Sequence, residues 1–162
     1  MKLFYTLCLF LFSTLAYGQT DNIEIQPTIS LFKTSFSTKD DILLKITLTN
    51  YTKTTQKILF DNPRMSTGGP WYTSATLINK KDGKSVLKYG NKAILSSQIY
   101  TENELKDKYH LLKPGQSISG TFSLFDIIVT NFDRYYGLDI GTYELQLYYG
   151  NIPSNKLTIV VQ

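Results

Sequence analysis

The chain has one histidine and one cysteine, so a search for reactive groups starts from a short list. Nucleophilic catalysis needs a nucleophile, a base and a group that orients the base. Cys8 lies inside an apolar N-terminal run. His110 lies in Lys108-Tyr109-His110-Leu111-Leu112, just before Lys113-Pro114-Gly115. His110 is the one imidazole available as a general base, but its surroundings read as an exposed or edge-strand position. No Gly-x-Ser-x-Gly elbow is present. A carboxylate pair could hydrolyse a glycoside, and Asp40, Asp41, Asp61, Asp126, Asp133 and Asp139 are the available groups. Asp40-Asp41 precedes a strand and reads as turn solvation, and Asp139 reads as part of a corner. No Asp-x-Asp-x-Asp-Gly run supplies converging oxygens for calcium. No Gly-rich loop would cradle a phosphate, and the Cys and His counts exclude a zinc cluster. The expectation is a protein with no catalytic residue, no metal and no cofactor.

Binding chemistry is better represented. Asn62, Pro63 and Arg64 on one side, and Trp71 and Tyr72 on the other, bracket a loop from Asp61 to Pro70 that holds two Pro and two Gly. Arg, Trp and Tyr are the types enriched at interface hot spots. These five residues are the candidate partner-binding set, and the alternative for Trp71 is simple core packing. Tyr135-Tyr136 and Tyr148-Tyr149 add aromatics. Adjacent strand residues point to opposite faces, so one of each pair should lie outside. Asn50-Tyr51-Thr52 matches a glycosylation sequon.

These residues need a scaffold. The chain has 162 residues, 42% apolar and 14% aromatic, with 12 Tyr and 9 Phe. That is one ordinary domain, too aromatic for a disordered tail. Met1-Lys2, an apolar run from Leu3 to Leu15 and the small-x-small triplet Ala16-Tyr17-Gly18 have the layout of a secretory signal cleaved after Gly18. The run is about 13 residues long, short of the ~20 a spanning helix needs. No second such run follows, so no membrane span is expected after cleavage. Cys8 is too early in the run to be a lipidation site. The expected organisation is a signal peptide over 1–18 and a single domain over 19–162, exported to the periplasm, the cell surface or the medium. The formal net charge of +4 falls to +3 once Lys2 leaves. The charges are dispersed, and no basic stripe suggests nucleic acid.

The body of the chain reads as strands. Ile42, Leu44, Ile46 and Leu48 alternate with polar residues, the pattern of a half-buried strand. Asn50 to Thr55 turns the chain and Gln56 to Phe60 reads as the return strand. Trp71 to Asn79 is a strand, and Asp82-Gly83 predicts a hairpin to Ser85–Tyr89. Ser117 to Phe125, Thr142 to Tyr149 and Lys156 to Val161 alternate again. Thr101 with Glu104 has capping-box spacing for a short helix, and Ile127 to Tyr136 suits either a strand or a helical turn. This predicts an all-β immunoglobulin-like sandwich of about seven to nine antiparallel strands, with one or two helical turns. Asp139-Ile140-Gly141-Thr142-Tyr143 has the spacing of a tyrosine corner, in which Asp139, Gly141 and Tyr143 shape a turn. Leu145 then stands where antibody domains place a Cys, with Phe60 or Leu59 expected to fill the space of the buried Trp.

The order of these segments resembles the BsuPI-type proteinase inhibitor family. The matching pieces are TLTNYTKTTQKILF (Thr47 to Phe60), NKKDGKSVLKYGNKAI (Asn79 to Ile94), LLKPGQSISGTFSL (Leu111 to Leu124) and IGTYELQLYY (Ile140 to Tyr149). The propeptide-like domain of deuterolysin-type metallopeptidases is similar in order. Asn62-Pro63 with Thr67-Gly68-Gly69-Pro70-Trp71 also resembles the loop of chagasin-type inhibitors, interrupted by Arg64-Met65-Ser66. The resemblance implies an immunoglobulin-like domain that binds a protein, either as a proteinase inhibitor or as a propeptide-like module. Two other readings stay open. One is a periplasmic or surface protein that binds a toxin-like or assembly partner, and the other is a carbohydrate-binding module. Edge strands in such a sandwich can pair with a second copy, so a dimer fits the pattern.

Overall fold

A computed structural model of the chain describes residues 25–61, 71–86, 101–128 and 137–162. Among the described residues nine strands run in the order β1 (Ile25–Leu31), β2 (Ser35–Phe36), β3 (Leu43–Asn50), β4 (Gln56–Leu59), β5 (Thr73–Asn79), β6 (Tyr109–Leu112), β7 (Ser117–Ser123), β8 (Gly141–Tyr149) and β9 (Ile152–Val161). Two one-turn helices, α1 (Glu102–Leu105) and α2 (Leu124–Ile127), interrupt them. One sheet has the order β1-β3-β7, the second β2-β9-β8-β5, and β4 and β6 form a separate pair.

The alternation in β3 decides its place. Leu44, Ile46 and Leu48 are fully buried, while Leu43 and Lys45 face solvent. β3 is the centre of its sheet, with Ile29 opposite Ile46 on one side and Gly120 on the other. The facing sheet contributes Leu77, Leu145, Leu147 and Ile159 to the same core. Each such side chain contributes about 1.5–3 kcal/mol by leaving water. The result is an all-β sandwich, antiparallel as expected except that the two-residue β2 runs parallel to β9.

β1 and the short β2 and β6 went unread in the sequence. Pro27 in the middle of β1 argues against a strand, because proline cannot donate to a ladder. It is tolerated because β1 is an edge. Beyond that edge, the Asn155 side chain takes over the ladder's role: Ile29 N–H donates to its Oδ1 at 2.8 Å and its Nδ2 donates to Ile29 O at 3.0 Å. Gln26 Nε2 reaches Pro153 O at 2.9 Å, tying the starts of β1 and β9 together across the two sheets.

Gln56–Phe60 does not return along β3. β4 pairs instead with β6, with Ile58 opposite His110. Phe60 is buried, but in a second cluster with Ile25, Leu48, Ile58 and Leu112, and its ring meets Phe122 edge-on at 5.6 Å. It does not fill the space beside Leu145, whose register partner is Leu77 of β5. The expected return strand fails because strand pairing is a long-range choice that a polar turn does not dictate. β7 also ends two residues early. Ser123 Oγ accepts the Phe125 N–H at 3.2 Å, and that cap starts α2.

The local turn signals hold. Asn79 N–H donates to Lys84 O and Gly83 N–H to Asn79 O, closing the Asp82-Gly83 hairpin. The Thr101 N–H and hydroxyl both donate to Glu104 Oε2, at 2.8 and 2.9 Å, at the start of α1. The Tyr143 hydroxyl donates to Asp139 O at 2.8 Å, with Tyr143 itself buried. That burial pushes its phenol pKa up. The Ser85–Tyr89 strand is described only as far as its first bridge, Ile78 to Ser85. Most of Ile127–Tyr136, including the pair Tyr135-Tyr136, lies outside the described residues.

Candidate functional site at the turn-rich end of the sandwich

The topology collects several turns at one end. β3 finishes at Asn50 where β1 begins, β8 finishes at Tyr149 where β5 begins, and β7 and β9 start there too. The turns 51–55, 113–116 and 150–151, and the two roots of the Asp61–Pro70 loop, are therefore neighbours in the fold.

Asn50 fastens this end. Its side chain is fully buried. Its Nδ2 donates to Leu112 O at 2.7 Å and Thr54 O at 2.8 Å, while its Oδ1 accepts from the Thr52 N–H and hydroxyl. Its backbone accepts from Gly115 N–H and donates to Gln116 O. Asn50 is thus the internal rivet of two turns. The sequon reading is corrected by this geometry, because the nitrogen that would carry a glycan already spends both hydrogens on backbone carbonyls.

Trp71 and Tyr72 precede β5 rather than opening it. Trp71 N–H donates to Phe60 O at 2.8 Å, which draws the two roots of the loop together. Trp71 is half-buried. Tyr72 is 70% exposed and has φ of 65°, the left-handed region, unlike every other described non-glycine residue. For a bulky residue that backbone is a real outlier and costs on the order of 1–3 kcal/mol. Gly150 N–H donates to Tyr72 O at 2.9 Å, and the Tyr72 ring meets Tyr149 edge-on at 5.9 Å and 79°. Tyr149 is half-buried, its hydroxyl directed at Leu59 O at 3.4 Å. Burial first, and the Tyr72 phenol second, push its pKa up. Tyr148 hydroxyl donates to Gln146 Oε1.

The structure therefore unites Trp71 and Tyr72 at one rim. Asn62, Pro63 and Arg64 lie outside the described residues. The sequence did not single out Tyr149 and Gly150 for this rim. The signal that could have found them was the β8–β9 turn, which must lie beside the start of any strand paired to the end of β8.

Polar groups border the rim. His110 Nε2 lies 3.3 Å from Asp61 Oδ2, both side chains being well exposed. Lys57 Nζ sits 3.9 Å above the Tyr109 ring. Tyr51 and Leu111 also stand out into solvent near this end. At the opposite end, an open hollow of about 500 Å³ is lined by Lys39, Asp40, Asp41, Ser123 and Asp126 among others. Asp40 accepts from Lys33 Nζ and from the Ser37 N–H and hydroxyl, and Asp41 accepts from Ser123 Oγ at 2.5 Å. Those carboxylates hold turns together. Among the described residues no group of three or more His, Cys, Asp or Glu converges on a metal position, and no helix is long and apolar enough to cross a membrane.

No protein-family model matches the chain, and no curated protein matches it. Among solved structures it is similar to the sporulation control protein Spo0M from Bacillus subtilis, at 15% identity and a TM-score of 0.40. The match covers 86% of this chain and 49% of Spo0M, so the chain spans about half the length of that protein.

Proposed function

We propose that this is an exported, non-catalytic protein-binding module whose contact surface is the turn-rich end around Trp71 and Tyr72. The observation that carries the reading is Tyr72. Its ring is held out in solvent on a backbone conformation that costs free energy, and its only described ring contact is one edge of Tyr149. Strain of this kind concentrates at functional positions. Exposed tyrosine is also a residue type that anchors interfaces. The flanks of the loop are fixed by the Trp71–Phe60 and Gly150–Tyr72 backbone bonds, so Trp71 and Tyr72 themselves lose little backbone freedom on docking.

The sharper form of the proposal is a proteinase inhibitor or propeptide-like domain that presents Asp61–Pro70 to a protease cleft. It rests on the family resemblance and on that anchoring. A toxin-immunity or assembly partner would use the same end. A glycan would need an aromatic face as a platform. Tyr72 and Tyr149 meet at 79°, so a sugar at this rim would stack on one ring and not across both.

The test uses the mature chain, residues 19–162, as bait on native envelope and secreted fractions, beside a Tyr72→Ala bait, with mass spectrometry as readout. One protein retained by the parent and lost by the variant is expected. Identical prey on both baits would overturn the proposal. A panel of proteases showing no slowed turnover in excess protein would remove inhibition and leave the envelope partner.

A further inference from the structure

Most sheet edges of the fold are closed or short. The outer side of β1 carries Pro27, which has no N–H to offer, and Ile29, whose N–H and C=O both bond the Asn155 side chain. β2 has two residues, and β4 and β6 have four each. β5 is bridged beyond its edge, Ile78 to Ser85, with Val86 N–H donating to Leu77 O. β7 is the exception. It ends the order β1-β3-β7, and among the described residues no strand lies beyond it.

The hydrogen bonds at the two ends of the β3–β7 ladder fix which groups face outward. Asn50 N–H donates to Gln116 O, and Leu124 N–H donates to Ile42 O. Antiparallel ladders alternate, so Ile118, Gly120 and Phe122 turn their backbone groups to β3. Ser117, Ser119 and Thr121 turn theirs the other way, and all three residues are exposed. The register with β3 runs from Leu43–Ser123 to Thr49–Ser117 without a shift, so no bulge twists this edge aside. The strand holds no proline and no charged residue. Those are the devices that keep an edge from pairing, and β7 has none of them.

The strand also fits a copy of itself. By residue type, Ser117-Ile118-Ser119-Gly120-Thr121-Phe122-Ser123 reads alike in both directions about Gly120. An antiparallel copy centred on that glycine sets Ser119 opposite Thr121 and Ser117 opposite Ser123 on the solvent face. On the other face it sets Ile118 opposite Phe122, both of them partly buried against the second core cluster. Hydroxyl meets hydroxyl and apolar meets apolar, the kind of cross-strand pair that stabilises a sheet. Gly120 meets itself at a non-hydrogen-bonded position, where the chains of such a ladder approach most closely. A Cβ there would already lie 2.8 Å from Phe122 Cε2 and 3.0 Å from Phe60 Cε1. Lys45, the charged residue of β3 on the solvent face, stands one strand in, opposite Thr121. Two such lysines would be at least three strand spacings apart, about 14 Å, beyond the Debye length of ~8 Å.

We infer that the outer edge of β7 is a homodimer interface. Two copies join antiparallel across a two-fold axis at Gly120, and three strands from each form one continuous sheet. The β1 ends of that sheet are blunted by Pro27 and Asn155, so assembly stops at two. Antiparallel union points the two turn-rich ends away from each other. The dimer stands independently of the binding-module reading.

The test is the mass of the purified chain by light scattering and sedimentation, from micromolar to millimolar concentration. An edge contact buries less than a standard interface, so the step from one chain to two should depend on concentration. One chain at every concentration, or a ladder of larger species, would overturn the inference. Two variants locate the edge. Ser119→Lys with Thr121→Lys, and Ser119→Glu with Thr121→Glu, should each be folded and monomeric, and an equimolar mixture of the two should restore the dimer. A dimer of either variant alone, or none in the mixture, overturns the β7 pairing. Amide exchange needs no variant. Where about nine-tenths of the chain is dimeric, the Ser119 and Thr121 amides should exchange about tenfold more slowly than in dilute protein, the ratio that mass action sets. Equal exchange of those two amides at both concentrations overturns the assignment of the edge.

Discussion

Replacing Asn50 by Ala removes a buried side chain that makes four polar contacts. Thr52 N–H loses its acceptor, but Thr52 is only half-buried and water can substitute, while its one hydroxyl hydrogen is left to Thr54 O. Thr54 O keeps a donor in the Thr52 hydroxyl at 2.8 Å. Leu112 O loses the 2.7 Å bond in a site that Asn50 itself seals. A buried acceptor left short of its partner costs about 1–3 kcal/mol, and the vacated volume adds to that. The expected loss is about 3 kcal/mol. At about 2–4 °C per kcal/mol for a chain of this size, the melting temperature should fall by about 6–12 °C. Asn50→Asp should be worse than Ala. It turns the two-hydrogen donor into a carboxylate oxygen facing two carbonyl oxygens, with the charge buried. Thermal unfolding followed by circular dichroism, repeated in urea, measures both. A fall of less than about 2 °C for Ala, or an Asp variant as stable as Ala, would refute the rivet role. The same geometry predicts a chemical outcome. Secretion from a glycosylating host should give folded protein with Asn50 unmodified, read by peptide mass. A glycan on folded protein at Asn50 would show that its amide is free.

Tyr143→Phe should cost about 1 kcal/mol by deleting the hydroxyl that closes the corner on Asp139 O, measured by urea unfolding. Asn155→Ala should cost about 2 kcal/mol, since it strips both the N–H and the C=O of Ile29 of their partner, and amide exchange at Ile29 should accelerate selectively. Gly137→Ala should destabilise strongly, because its Cβ would sit 1.6 Å from Thr38 O and the backbone would have to part; thermal melting checks it. The Lys33 hydrogen bond, then the Ser37 N–H and hydroxyl, pull the Asp40 carboxyl from 3.8 down to about 2. A lowered carboxylate pKa gives stability that is complete above the unfolded value and is lost as pH falls through the folded one. The stability gap between the parent and Asp40→Asn should therefore narrow as the pH drops from 3.8 to about 2, and a gap constant across that window would count against the contact.

The sequence by itself determined what is local. Period-two alternation marks β3, β7, β8 and β9 because a strand with one buried face must alternate, whatever it pairs with. Asp82-Gly83 marks a hairpin, and Asp139-x-Gly141-x-Tyr143 marks a turn sealed by a hydroxyl four residues away, because both are decided within a few residues of chain. Trp71 and Tyr72 were legible as a candidate rim by residue type. Only the tertiary structure decided what depends on distant chain. Whether Gln56–Leu59 follows β3 or finds Tyr109–Leu112, about fifty residues away, is a competition between surfaces that no single segment encodes. Pro27 reads as a strand breaker until Asn155, from the other end of the chain, makes its strand a tolerable edge. Asn50 reads as a turn residue open to solvent until Leu112 covers it. Tyr72 reads as the second residue of a strand until Gly150 holds it in the left-handed region. In each case the deciding partner is remote in sequence, and the free energy of the contact, not the preference of the residue, selects the conformation.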